Sequence, residues 1–295
     1  MPRYPYETVD VFTDTPFGGN PLAVFTDAQG LTGEQMQARA AEMNYSETTF
    51  VLPPDDPANT ARVRIFTRTV EMPFAGHPNV GTAFVLARQG RGSGGPLRFE
   101  EIAGLVEVDV ERDAARTVTG TVIAAPQPLS TGVELPAAAI AACTGLQVED
   151  IVLANHRPVR ASVGVFFVLA EVRGEALSRA TPDLGQFRAV RDATPALEGR
   201  FSLFLYARDG QAIRARMFSP IGGTWEDPAT GSASATLGAL LLKLDGGEEA
   251  AFTITQGVEM GRPSLLKVTA RRAADGYRSR VGGMCVPMFK GEVAL

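Results

Sequence analysis

Residues 7–12 (ETVDVF) are β-prone, and apolar residues resume through 22–25 (LAVF), with turn-forming TPFGGNP at 15–21 between them. That pattern predicts a β-hairpin. Thr32, followed three residues later by Gln35, predicts a capping box that opens a helix over residues 34–43. Residues 48–52 read as a strand stopped by Pro53 and Pro54, and 62–67 (RVRIFT) alternate as a half-buried strand does. Residues 71–87 begin as a loop and pass, near Pro78, into a helix whose positions are small or apolar all the way round until Arg88. A helix without a polar face is a buried one. Strands follow at 97–101, 105–110 and 117–123, and turn formers at 126–132 make the best candidate linker. Beyond it the pattern predicts a short helix at 136–144 and strands at 163–169, 201–206 and 212–218. A second helix without a polar face follows near 236–243, then strands at 251–255, 265–270 and 277–282.

The chain is doubled. RIFT at 64–67 recurs 152 residues later as RMFS at 216–219, and PFAGH at 73–77 recurs 155 residues later as PATGS at 228–232. Each copy is an alternating strand, a loop carrying an acid, a turn with proline and glycine, then a small, apolar helix. The expected architecture is α/β, with two similar domains, each a mixed, curled sheet around a central buried helix. Residues 1–128, joined by a C-terminal strand near 277–295, form the first half and 129–276 the second. Two such halves are expected to face each other across a cleft, a common place for a small-molecule site. The cleft would expose the helix starts at Gly76 and Gly231, where partial positive charge suits a carboxylate and the missing Cβ admits ligand atoms close to the backbone. The plainer alternative is that both glycines only make tight turns.

Charge narrows the partners. The formal net charge is −5 and no basic block occurs, so the positive stripe that nucleic acid needs is missing. No apolar run approaches the roughly 18 residues of a membrane span, and the first ten residues hold no signal-peptide core. Cys143 and Cys285 stand far apart without a CxxC pattern, which suits buried thiols in a reducing cytoplasm. With only His77 and His156 besides, a zinc site is not expected.

Candidate chemistry falls in few places. Glu47 lies between a helix end and an apolar strand, where partial desolvation would raise its pKa toward the range useful for proton transfer; a solvated surface Glu is the other reading. His77 at a helix start is either a cap or a neutral imidazole that can both donate and accept. His156 reads as a loop residue without a role. Glu226 and Asp227 precede the second helix, where an acid complements the dipole. Residues 90–95 fit the letters GxGxxG, but a helix precedes them and a strand follows, the wrong order for a dinucleotide fold, so they read as a flexible loop. Ser232 has no evident His–acid relay in sequence, although His77 could come near it across the cleft.

Taken together, VF at 11–12, PFGGNPLAV at 16–24, NYSETTFV at 44–51, RIFT at 64–67, FAGHP at 74–78 and DPATGSA at 227–233 resemble the PhzF-like phenazine biosynthesis isomerases, related in fold to diaminopimelate epimerase. The resemblance spans essentially the whole chain. It implies a cofactor-independent, metal-free and usually dimeric enzyme that moves a proton between carbons, as in isomerisation of trans-2,3-dihydro-3-hydroxyanthranilate. By the same resemblance Glu47, His77, Asp227 and Ser232 are catalytic, backbone N–H groups around Gly76 and Gly231 hold the substrate carboxylate, and Asn20 binds substrate. The two cysteines lie outside both helix-start motifs, so two-thiol racemisation of the epimerase kind is not expected. Arg68 stands where a proline is common in the family, whereas the second repeat keeps Pro220. A non-catalytic small-molecule-binding protein on the same fold, or an epimerase using Glu47 with a second acid, are the alternatives.

Overall fold

The computed structural model describes residues 2–92 and 95–294. The chain divides into two compact units: Met1–Ala124 with Gly282–Leu295, and Ala125–Val281.

In the first unit, β1 (Arg3–Val11) and β2 (Asn20–Phe25) form the expected antiparallel pair. The helix α1 (Gly33–Met43) starts with the reciprocal Thr32–Gln35 capping box. Strand β3 (Glu47–Leu52) runs parallel to β2, and β4 (Ala61–Thr67) antiparallel to β3. A two-residue strand, β5 (Glu71–Met72), folds back on β4 and leads into α2 (Gly76–Arg88). Next come β6 (Leu97–Glu101), parallel to β4, then β7 (Gly104–Arg112) and β8 (Val118–Ala124), each antiparallel to its predecessor. Every residue of α2 except Arg88 is buried, because it packs against β8, β1, β2, β7 and β3. Gly81 permits that close packing: a Cβ there would lie 2.6 Å from Leu22 Cδ2 and 2.8 Å from Val11 Cγ2. On the other side of these strands, Met36 and Ala40 of α1 pack with Tyr4, Phe25, Phe50 and Phe66. Phe25 stacks on Phe50 at 4.8 Å, and Phe66 meets Phe50 edge-on at 5.5 Å.

The second unit repeats the order of pairings. Strand β9 (Ser130–Glu134) precedes α3 (Ala137–Thr144) and pairs antiparallel with β10 (Val159–Ser162), which in turn pairs with β11 (Phe166–Glu171). Two helices, α4 (Gly174–Leu177) and α5 (Leu184–Ala193), lie before β12 (Leu203–Asp209), which is parallel to β11 as β3 is to β2. Strand β13 (Ala212–Ser219) returns antiparallel, a short β14 (Thr224–Asp227) folds back on it, and α6 (Gly231–Asp245) follows. Strand β15 (Glu249–Gln256) is parallel to β13, and β16 (Ser264–Ala273) is antiparallel to β15. Helix α6 is buried from Gly231 to Leu242 apart from Ser232. Helices α3, α4 and α5 pack their apolar residues on Leu203, Leu205 and Phe218. The last strand, β17 (Gly276–Ala294), begins in the second unit and ends in the first, where it pairs with both β8 and β1. The strands β1–β4, β6–β8 and β17 thereby run round α2 in a closed circuit of pairings.

Four local readings change. Helix α2 begins at Gly76, two residues before Pro78, since the first turn of a helix needs no proline N–H. The strand expected at 163–169 starts later, at Phe166, because a bend at 163–165, where Gly164 takes φ 145° and donates its N–H to Ser162 Oγ, separates it from β10. The linker at 126–132 holds the start of β9, and Ala125 and Leu129 donate to carbonyls of Ser279 and Tyr277. The strand read at 277–282 and the joining strand expected near 277–295 are one, β17, and Pro287 is accommodated where the register against β1 shifts between Thr8 and Val9, a bulge that needs no ladder N–H. Helix α5, with only Phe187 buried, was not anticipated. Of the glycine-rich run at 90–95, Ser93 and Gly94 lie outside the described residues.

Candidate active site

Strand β3 begins at Glu47, which sits in register between Leu22 of β2 and Thr67 of β4. Its carboxylate Oε2 lies 3.4 Å from Nδ1 of His77, the second residue of α2. His77 is nearly fully buried, while about a fifth of the Glu47 side chain stays exposed. Burial raises the Glu47 pKa; the Ser46 hydroxyl and the Arg68 guanidinium oppose that rise without cancelling it. Ser46 Oγ in turn donates to Oδ1 of Asn20 at 3.1 Å, and Asn20 is itself buried at the start of β2. The loop entering β2 contains Phe12 and Phe17 at positive φ, a conformation that costs non-glycine residues energy and persists only where neighbours enforce it. Here Phe17 N–H donates to Asp10 Oδ2 at 2.8 Å and Thr13 N–H to the Met284 carbonyl at 3.0 Å. Thus Asn20, Glu47 and His77 are brought together in the first unit, each at the first or second position of its element.

The corresponding helix start in the second unit is tied differently. Asp227, the last residue of β14, accepts from Thr230 Oγ1 at 2.6 Å. Gln256 braces both: its Nε2 donates to the Asp227 carbonyl at 2.7 Å, and its Oε1 accepts from the Thr230 N–H at 3.0 Å. Gly231 and Ser232 are the first two residues of α6, matching Gly76 and His77 of α2. Neither buried helix has a side-chain cap at its N-terminus, whereas the outer helices α1 and α5 are capped by Thr32 and Asp183. Helix starts that no side chain caps are suited to an anionic ligand.

Sequence reasoning missed the supports of these starts. Arg64 of β4 grips Glu71 of β5 with two hydrogen bonds, at 2.6 and 2.7 Å, and lies over the Phe66 ring. Arg216 of β13 grips Glu226 of β14 with two at 2.8 Å and lies over Phe218. Glu226 is therefore an anchor for β14 in a side-chain clasp, not simply a complement to the helix dipole. The signal was available: both arginines open the repeated tetrapeptide, and both acids stand five residues before the helix glycine. His156, which had no assigned role, is within 2.7 Å of the buried Tyr206 hydroxyl through Nε2.

Both cysteines are free and buried, and burial pushes each thiol up to about 12. Thiols held that far above neutrality are poor proton-transfer groups. Among the described residues, no cluster of three or more His, Cys, Asp or Glu is arranged to hold a metal ion, and no helix is long and apolar enough to cross a membrane.

Comparison with known proteins follows the same lines. The family model described as phenazine biosynthesis-like protein, PhzC-PhzF, matches residues 9–291. An uncharacterized isomerase of Mesorhizobium japonicum is 38% identical, covering 98% of each chain. The trans-2,3-dihydro-3-hydroxyanthranilate isomerase of Pseudomonas chlororaphis is 35% identical, covering 98% of this chain and 99% of that one. Among solved structures, a Bacillus anthracis phenazine biosynthesis protein of the PhzF family superimposes with a TM-score of 0.87 at 26% identity over all of both chains. A predicted epimerase from Pseudomonas aeruginosa does so with a TM-score of 0.80 at 31% identity over 99% of each.

Proposed function

The chain belongs to the PhzC-PhzF phenazine biosynthesis-like family, whose curated relatives are isomerases, and we propose that it isomerises a small carboxylate-bearing metabolite without a cofactor, Glu47 moving the proton. The observation that carries this reading is Glu47 itself: largely withdrawn from water, raised in pKa, and 3.4 Å from the His77 ring. A carboxylate so placed takes a proton from one carbon while the C–H electron pair enters the substrate's conjugated system. The resulting acid then returns the same proton to a second carbon as electrons shift back. Nothing is gained or lost, so no redox partner is required. His77 holds the Glu47 carboxylate in place, and the backbone N–H groups at Gly76 and Gly231 are the proposed holders of the substrate carboxylate, with Asn20 as a further binding residue. Asp227 and Ser232 are the proposed catalytic residues of the second unit.

The substrate class follows that of the Pseudomonas relatives. The test is turnover of trans-2,3-dihydro-3-hydroxyanthranilate in D2O, followed by proton NMR. The expected product keeps part of the migrating hydrogen, because a shielded carboxyl exchanges slowly with solvent, and Glu47→Gln abolishes turnover. A fully active Gln variant would end the proposal. Epimerisation is the second reading, favoured by the likeness to the 31% identical predicted epimerase from Pseudomonas aeruginosa; inversion of an amino-acid stereocentre by the wild-type protein would select it.

A further inference from the structure

The hairpin between β6 and β7 is sewn to the segment that enters α2. Glu101, the last residue of β6, faces Gly104 across the hairpin, and Ala103 N–H donates to the Pro73 carbonyl at 3.1 Å. The Glu101 carboxyl is turned inward: both its oxygens are buried with no hydrogen-bond partner, and the same is true of Asn79 Oδ1. Asn79 is a fully buried residue in the first turn of α2, and its Nδ2 donates to the carbonyl of Ala75, the residue that caps the helix without a side-chain bond. The amide of Asn79 stands beside the Glu101 carboxyl.

An ionised carboxylate only accepts hydrogen bonds, as does an amide oxygen. With Glu101 charged, the Asn79 amide can serve the carboxylate, which opposes the rise in its pKa, but no donor serves Asn79 Oδ1. One proton resolves this. A carboxylic acid and a primary amide form a cyclic pair, the acid O–H donating to Asn79 Oδ1 and the second Nδ2 hydrogen returning to Glu101. The first Nδ2 hydrogen stays on Ala75. Burial pushes Glu101 up to about 8, so the proton is retained at neutrality. The ionisable groups on surrounding elements are engaged elsewhere. Arg98 of β6 pairs with Glu107 of β7 at 3.3 Å, and Glu100 accepts from the amides of Asp55 and Asp56. Arg64 and Glu71 clasp each other, and His77 of α2 lies against Glu47 of β3. Asp109, Glu111 and Arg112 lie farther along β7, and Arg88 at the other end of α2.

We propose that Glu101 is carried as a neutral acid and, through a cyclic acid–amide pair with Asn79, is a positioning residue for the first turn of α2, which presents the Gly76 N–H and the His77 ring. That this turn belongs to an active site rests on the function proposed above; the acid–amide pair does not.

The experiment is isotope-edited NMR of the full chain with 13C-labelled glutamate and 15N-labelled histidine. The Glu101 Cδ signal is identified by its loss in Glu101→Gln. It is expected to titrate well above the ordinary carboxylate range, and the His77 ring signals should shift in the same step in the parent but not in Glu101→Gln. Asn79→Ala should move the Glu101 titration. With trans-2,3-dihydro-3-hydroxyanthranilate as substrate, Glu101→Leu should lower kcat at least tenfold, while Glu101→Gln, which supplies a permanent donor, should restore it and flatten the alkaline limb of the pH profile. An ordinary Glu101 titration, or a His77 signal indifferent to it, overturns the proposal. If the chain leaves that substrate untouched, only the functional reading fails, and the NMR measurements still decide the acid–amide pair.

Discussion

The two buried helices share a plan and differ in how their starts are held. In the second unit, Asp227, Thr230 and Gln256 are locked to one another by short hydrogen bonds, and Arg216 adds the carbonyls of Leu177 and Ala180 to its clasp on Glu226. In the first unit the equivalent arginine, Arg64, clasps its glutamate and is three times as exposed, and the residue facing the helix start is an acid with a raised pKa. One half of the doubled fold ties the acid at its helix start into a hydrogen-bonded set, and the other sets an acid of raised pKa against its helix start. Duplication supplies a scaffold, and the proposed proton carrier, Glu47, stands where the two copies depart from symmetry.

The sharpest way to break that contrast is Glu47→Gln, which leaves the first unit folded and should lower turnover by about 10²–10⁴-fold, the usual worth of a general acid–base group. Steady-state kinetics beside an unchanged thermal melt check it. Next is the arginine pair. Arg216→Met strands the buried Glu226 and two carbonyls and should cost about 3–5 kcal/mol, whereas Arg64→Met, in a wetter setting, should cost about 1 kcal/mol. Urea titrations of the two variants compare them directly, and equal losses would erase the asymmetry.

A pH series tests the buried acid. Glu101 binds its proton more tightly folded, at about 8, than unfolded near 4.5, so its contribution is complete below 4.5 and is lost as pH rises through 8. The melting temperature of Glu101→Gln should therefore gain on that of the parent between pH 5 and pH 8 and hold a constant lead above it. The smallest effect belongs to the outer helix: Thr32→Ala removes the α1 cap and should cost about 1 kcal/mol, with no change in turnover.

Much of this was legible in the residues. The Thr32–Gln35 box, the hairpin around PFGGNP and the two helices without polar faces depend on local periodicity and capping, which short windows contain. The helix-start motifs were legible because the repeat places them in order. What escaped depends on partners remote in sequence. The Arg–Glu clasps join residues seven and ten apart on successive strands, and Asn79 meets a carboxyl more than twenty residues away. How β17 runs on past Pro287 depends on a bulge in its pairing with β1, a property that residues 276–294 do not carry alone.

That final strand also sets an order of events during biosynthesis. Residues of the second unit are contiguous, and its pairings can form as soon as they leave the ribosome. The first unit joins Arg3 to Ala294, so its ring stays open, with the edges of β1 and β8 unprotected, until β17 has been made. Such exposed edges invite aggregation, and nascent chains stalled before β17 should be more prone to it than the finished protein.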